Sequence, residues 1–159
     1  MMQVPDSKTV SIQDLAPFVE KKILAGGSVE LTVPGNSMRP TLLDRVSKVR
    51  LTAIRVPKRG DMVLYRRDNG TFVLHRIVKI CPDGSYVFCG DAQYQLEKGI
   101  HREQLIAVVY EFSRSEKWIS CDNLIYQCWW RFCVHMRGWR RICAAIRRRM
   151  KKPYHTIQK

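Results

Sequence analysis

The chain has 159 residues, 45% of them hydrophobic, and a formal net charge of +14 at pH 7. That length and apolar share suit one sizeable core rather than two, so a single domain with attachments is expected. No run of eighteen apolar residues is available to cross a membrane, the nearest stretch, NLIYQCWWRFCV, being short and broken by Arg131.

In chain order, residues 1–27 are expected to form a short helix that packs on the domain. In SIQDLAPFVEKKILA, Ile12, Leu15, Phe18, Val19 and Ile23 recur at helical spacing. Pro17 makes the first turn the weakest part, and Gly26-Gly27 ends the pattern as C-terminal cap glycines do. The opening MMQVPDSKTVSIQDL has no basic segment followed by an apolar one and a small-residue cleavage site, so no secretory leader is expected and a cytoplasmic location is.

Residues 28–113 change character. SVELTV, KVRLTAI, DMVLYRR, TFVLHRIVKI, SYVFCG and IAVVYEF are β-branched or aromatic runs punctuated by Pro-Gly, Arg-Gly-Asp, Asp-Asn-Gly and Pro-Asp-Gly. A β-rich domain is predicted, with hairpin turns at 68–70 and 82–84. Residues 114–122 are expected to be a linker and 123–159 a long basic amphipathic helix and tail, capped by Asp122 or Asn123. Along it Ile125, Trp129, Phe132, Met136, Trp139, Cys143, Ile146 and Met150 recur at steps of four and three, with arginines and lysines on the remaining arc and Trp130 near the stripe's edge.

Six cysteines without a Cys-x-x-Cys pair read as ordinary reduced thiols. Cys121, Cys128, Cys133 and His135 lack zinc-type spacing, and no metal or other cofactor is expected.

The segment PGNSMRPTL raises a chemical question, because it builds a stiff turn around one hydroxyl, Ser37. Gly35 permits close approach of another backbone, and Pro40 restricts the loop that follows. A serine nucleophile needs a base, a group that orients the base, and donors for the oxyanion. His75 is the one histidine inside a strand-like run, with Val73 and Ile77 expected on its face. From the residue alone, an imidazole packed in the sheet and one poised as a base both remain open. For the orienting acid, Asp91 stands at a strand end beside Gly90, Glu97 is a second candidate, and Asp61 looks turn-like.

Taken together, these blocks resemble the signal peptidase I and LexA-like superfamily of serine endopeptidases. GNSMRPTL resembles the nucleophile block Gly-x-Ser-Met-x-Pro-Thr, RGDMVLYRR the Gly-Asp-hydrophobic strand, VLHRIV the block carrying the general base, and FCGDAQYQLEKGI the closing Gly-Asp block. The likeness covers about residues 12–112. It implies a LexA/signal-peptidase-like β-rich fold and a Ser/His enzyme of the archaeal, endoplasmic-reticulum and sporulation type. Ser37 would be the nucleophile, His75 the base and Asp91 the acid, with Met38 and Pro40 supporting the substrate groove. It also implies an oxyanion site at the Ser37 backbone N–H with a second donor from the same turn. Gly35 stands where bacterial members carry a serine, and Asn36 is the candidate replacement. The substrate implied is a peptide or precursor protein. The rival is a catalytically inactive module on the same fold that grips peptides or binds nucleic acid.

Charge is concentrated late in the chain: residues 114–159 hold 12 basic and 2 acidic side chains, against 16 and 12 before them. Set beside the stripe at Ile125, Trp129, Phe132 and Trp139, this pattern suits an in-plane helix on an anionic membrane, placing the protein at the inner membrane face. Docking of the stripe on the β domain and binding of nucleic acid are the two other readings.

Overall fold

A computed structural model of the chain describes residues 12–136, 138 and 139, with the backbone alone for 12–15. Helix α1 spans Ile12–Leu24. It buries Ala16, Val19 and Ile23 at spacings of three and four, while Phe18, expected in that stripe, is 59% exposed. Pro17 lies inside the helix, on its exposed side. The helix ends as its glycines suggest: Gly26 takes φ +79°, its N–H donates to the Ile23 carbonyl, and the Gly27 N–H donates to the Lys22 carbonyl.

Eight strands follow: β1 Val29–Thr32, β2 Lys48–Thr52, β3 Met62–Arg66, β4 Phe72–Ile80, β5 Tyr86–Cys89, β6 Glu97–Ile100, β7 Leu105–Ser113 and β8 Trp118–Ser120. They form one antiparallel sheet in the order β1-β2-β7-β3-β4-β5-β6, with β8 pairing β7. The six expected runs are all strands. Two strands have no counterpart among them: β6, in a polar stretch of EKGI, and β8, inside the segment read as a linker. Asp-Asn-Gly and Pro-Asp-Gly close the β3–β4 and β4–β5 hairpins, each with its glycine at φ +81°.

Strands β3 and β5 are buried on both faces. Met62, Leu64, Leu74, Val78, Val87 and Cys89 belong to a core shared with both helices, whereas Val63, Tyr65, Ile77, Tyr86 and Phe88 form a second core on the opposite face. Four register shifts, at Arg50/Leu51, Leu64/Tyr65, Ile77/Lys79 and Tyr86/Phe88, interrupt the ladders. Bulges of this kind bend a strand and increase the local twist of the sheet.

Helix α2, Leu124–His135, begins at Asn123, whose side-chain oxygen accepts from the N–H groups of Ile125 and Tyr126; of the two expected caps, this is the one used. It seats Tyr126, Trp130 and Val134 in the first core. Gly60 lies directly beneath Trp130 at φ +104°, and a methyl group there would overlap the indole. Gly60→Ala is therefore expected to cost about 1–3 kcal/mol through overpacking and left-handed strain. Urea denaturation would read that loss, and limited proteolysis should cut α2 faster.

Candidate active site

The Ser37 turn is anchored at both ends and from below. The Val33 N–H donates to the Ser47 carbonyl at 2.9 Å, and the Arg45 N–H donates back to the Val33 carbonyl at 2.9 Å. Gly35 takes φ +91°, a conformation costly for any side chain, and its N–H donates to Asp44 Oδ1 at 2.7 Å. Met38 is buried in the core, its carbonyl accepting from the Leu42 N–H at 2.9 Å, and the Arg39–Pro40 bond is cis. Ser37 thus stays half exposed on a turn whose next residue is a core plug. Of the expected oxyanion contributors, the Gly35 N–H is engaged by Asp44, while Asn36 Oδ1 accepts from Arg39 Nη1 at 3.4 Å.

His75 lies on β4 opposite Val63 and is 2% exposed. As the alternation predicts, it shares a face with Val73 and Ile77, both of which pack in the second core. Its Nδ1 is 3.2 Å from Glu97 Oε1 and 3.4 Å from the Tyr65 hydroxyl. Tyr65 donates to Glu97 Oε2 at 2.8 Å, and Arg67 grips both carboxylate oxygens, Nε to Oε2 at 2.7 Å and Nη2 to Oε1 at 2.5 Å. Burial opposes ionisation of Glu97, but hydrogen bonds from Arg67 and Tyr65 outweigh it and hold the carboxyl below its ordinary range. Burial pushes the imidazole below its ordinary 6.5, with the Glu97 charge pulling the other way and not cancelling it. At neutral pH the ring is therefore uncharged. A proton on Nδ1, directed at Glu97, leaves Nε2 as a bare acceptor.

The opposite edge of the ring faces Gly90, against which the Ser37 carbonyl also packs; no hydrogen bond joins the Ser37 hydroxyl to His75 in this structure. A methyl group placed on Gly90 would lie 2.6 Å from the Ser37 carbonyl oxygen, 2.9 Å from Gln93 Oε1 and 3.1 Å from His75 Nε2. The three groups converge on one buried point that only glycine leaves open. The Ala92 N–H donates to that same Ser37 carbonyl at 2.8 Å, tying the turn to the end of β5.

Asp91 occupies a different place from the one expected. Both of its oxygens face Arg76, Oδ1 at 2.8 Å from Nε and Oδ2 at 2.6 Å from Nη2, and the Thr41 hydroxyl donates to Oδ2 at 2.5 Å. Arg76 is fully buried and also donates to the Gly60 carbonyl and the Tyr126 hydroxyl, each at 2.8 Å. The carboxylate at the imidazole's Nδ1 is Glu97, the second candidate; Asp91 joins the Ser37 loop, β4 and α2 into one clamp. The reason is topological: adjacent residues of β4 face opposite sides of the sheet, His75 toward Glu97 and Arg76 toward Asp91.

Sequence reading did not pick out Tyr65, Arg67 or Arg76. A signal for Arg76 exists, since it stands in phase with Phe72, Leu74 and Val78, where a charge must be paired to be buried. Asp61 is a turn residue as expected, its carboxylate accepting from the Lys58 N–H at 2.8 Å. Beside Glu97 runs an open groove of about 550 Å³ lined by Arg67, Gln93, Gln95 and Leu96. Gln93 belongs both to this groove and to the junction at Gly90.

The described part of the tail stripe is largely exposed. Ile125 and Phe132 are exposed at 81% and 57%, Trp129 and Trp139 at 40% and 62%, while the helix docks through Tyr126, Trp130, Cys133 and Val134. Intramolecular docking does occur, by the neighbouring face and not by the stripe. Cys143, Ile146, Met150 and the basic residues from Arg140 onward lie outside the described residues. Among the described residues no cluster of three or more metal-ligating side chains is present, and no helix is long and apolar enough to cross a membrane. No family model, curated protein or solved structure matches this chain.

Proposed function

We propose that the chain is a serine endopeptidase of the signal-peptidase-like type, built on a LexA/signal-peptidase-like β fold and cleaving a peptide or precursor protein through Ser37 and His75. One observation carries the reading: the buried His75 imidazole has its Nδ1 3.2 Å from Glu97 Oε1 and its Nε2 edge at Gly90, against which the Ser37 carbonyl packs. Ser37 Oγ gives its proton to His75 Nε2 and attacks the substrate carbonyl carbon. The imidazolium returns the proton to the leaving amine as the peptide bond breaks, leaving an ester on Ser37. Water, deprotonated by the same imidazole, then hydrolyses the ester. Glu97 holds the tautomer, and Tyr65 and Arg67 hold Glu97. The Ser37 backbone N–H is the proposed first oxyanion donor. An extended substrate would enter along the groove at Gln93 and Gln95, beside β6, which ends the sheet's strand order on that side.

Labelling with a serine-directed fluorophosphonate tests the reading. Wild type should label, and Ser37→Ala, a substitution at a half-exposed turn residue that should leave the fold intact, should not. His75→Ala, checked by circular dichroism for a retained fold, should lose labelling as well. Equal labelling of wild type and Ser37→Ala would overturn the assignment and leave a module that only grips its partners.

A further inference from the structure

Helix α2 is held to the domain by one face and leaves a second apolar face in solvent. The docked face is Tyr126, Trp130, Cys133 and Val134. On the other side Leu124 and Ile125 are each 81% exposed, and the Trp129 and Phe132 rings lie 6.3 Å apart as neighbours on the surface. The apolar surface continues off the helix into a groove of about 410 Å³ lined by Phe112, Ile119, Ile125, Tyr126 and Trp129, with exposed Arg114 among its walls. A contiguous patch of this kind marks a contact surface.

The charge of the sequence that carries this face selects the partner. Residues 123–159 carry ten basic side chains and no acidic one, all but Arg131 lying outside the described residues. A second copy of the chain would bring the same excess of cations against the first, so self-pairing works against charge repulsion. Nucleic acid would satisfy the cations but gives Leu124, Ile125 and Phe132 nothing apolar to enter. A lipid surface with anionic headgroups satisfies both, taking the aliphatic and aromatic side chains at the acyl boundary and the cations at the headgroups.

We propose that the Leu124–Ile125–Trp129–Phe132 face of α2 seats the protein on an anionic membrane surface. Tyr126 and Trp130, on the docked face, hold the helix so that this face stays outward whether or not lipid is present. The contact is peripheral, and it is independent of the chemistry assigned to Ser37.

The test is flotation of the full chain with vesicles of phosphatidylcholine alone and with roughly 30% phosphatidylglycerol added. Wild type should float with the anionic vesicles and not with the neutral ones, and should be released as salt is raised toward roughly 0.5 M. Ile125→Gln/Phe132→Gln, which keeps every charge and alters only exposed side chains, should lower bound protein by about tenfold or more. Its thermal midpoint and fluorophosphonate labelling should match wild type, which separates this proposal from the one on Ser37. Flotation of the double variant equal to wild type would overturn the proposal, as would absence of wild-type flotation. So would concentration-dependent dimers that the double variant abolishes without any effect of lipid. Binding of an RNA oligomer in place of vesicles, unaffected by the apolar substitutions, would assign the basic segment to nucleic acid instead.

Discussion

Arg76→Met should cost the fold about 3–5 kcal/mol, the loss typical of breaking a buried ion pair from one side. Arg76 is fully buried and the Asp91 side chain is 3% exposed, so removing the guanidinium leaves a carboxylate in the core facing a methyl group. It also strips the donors from the Gly60 carbonyl and the Tyr126 hydroxyl, with which Arg76 bonds at 2.8 Å. Arg76→Met/Asp91→Leu should recover part of that loss, since two apolar side chains replace the pair, although Thr41, Gly60 and Tyr126 still lose their partners. Urea unfolding followed by circular dichroism gives both numbers. A single-variant loss under about 1 kcal/mol would mean that the pair is solvated in solution. Because Thr41 follows the Ser37 turn and Tyr126 sits on α2, the single variant should also lower activity and expose α2 to protease together.

Glu97→Gln should lower kcat/KM on the order of 10³- to 10⁴-fold, the size of effect seen when an imidazole is left in the wrong tautomer. Each oxygen of Glu97 is already assigned: Oε1 to Arg67 Nη2 and the His75 Nδ1 side, Oε2 to Tyr65 and Arg67 Nε. An amide must turn its NH₂ toward one of these sets of donors. Turned toward Nδ1, it drives the ring's proton to Nε2, where it blocks acceptance from Ser37. The pH profile adds a readout that mere loosening would not move. Burial holds the imidazole below 6.5, so the neutral base persists under that pH and the acid limb of wild-type kcat/KM should lie below 6.5. Glu97's charge raises the imidazole's pKa, so removing it should shift the limb to still lower pH while the plateau falls. The same lowered pKa means that the unfolded chain binds a proton the folded chain resists. Stability should therefore fall as pH drops through and below 6.5. An acid limb above 6.5, or one unmoved by Glu97→Gln, would contradict the assignment of Glu97.

The order of the site's two acids shows where sequence reasoning reaches its limit. Asp91 closes an apolar strand next to a glycine and looks like the residue that reaches across a sheet. Glu97 sits in a polar stretch with no strand signal of its own. Yet β6 pairs with β5, placing Glu97 opposite Phe88, whose ring stacks on Tyr65 at 4.3 Å, and that pairing delivers the carboxylate to His75. β6 carries little apolar patterning, so its position is set by backbone pairing with a neighbour. Similarly, β8 forms where β7 extends beyond β3 and offers an unpaired edge at Glu111–Ser113.

In α2 the apolar stripe was legible and its direction was not. Trp129 and Trp130 are adjacent and chemically identical, yet Trp130 is 4% exposed over Gly60 and Trp129 is 40% exposed. Periodicity reports which side chains share a face; it does not say which face the domain will cover. That choice belongs to Gly60, in the turn before β3, and to Arg76 and Phe112, on β4 and β7, which shape the receiving surface.

What the amino-acid order determined by itself is local: the glycine-capped first helix, the six apolar strand runs, the two hairpin turns, the stiff Ser37 turn and the imidazole set in a strand. Each follows from backbone preference or from a period of two or 3.6, which a short window contains. Only the tertiary structure decided the partners: Glu97 for His75, Arg76 for Asp91, Gly90 for the Ser37 turn, and Trp130 over Trp129 for the core. Those outcomes depend on strand register and on bulges between segments distant in sequence, and the free energy that sets them is not a property of any one segment.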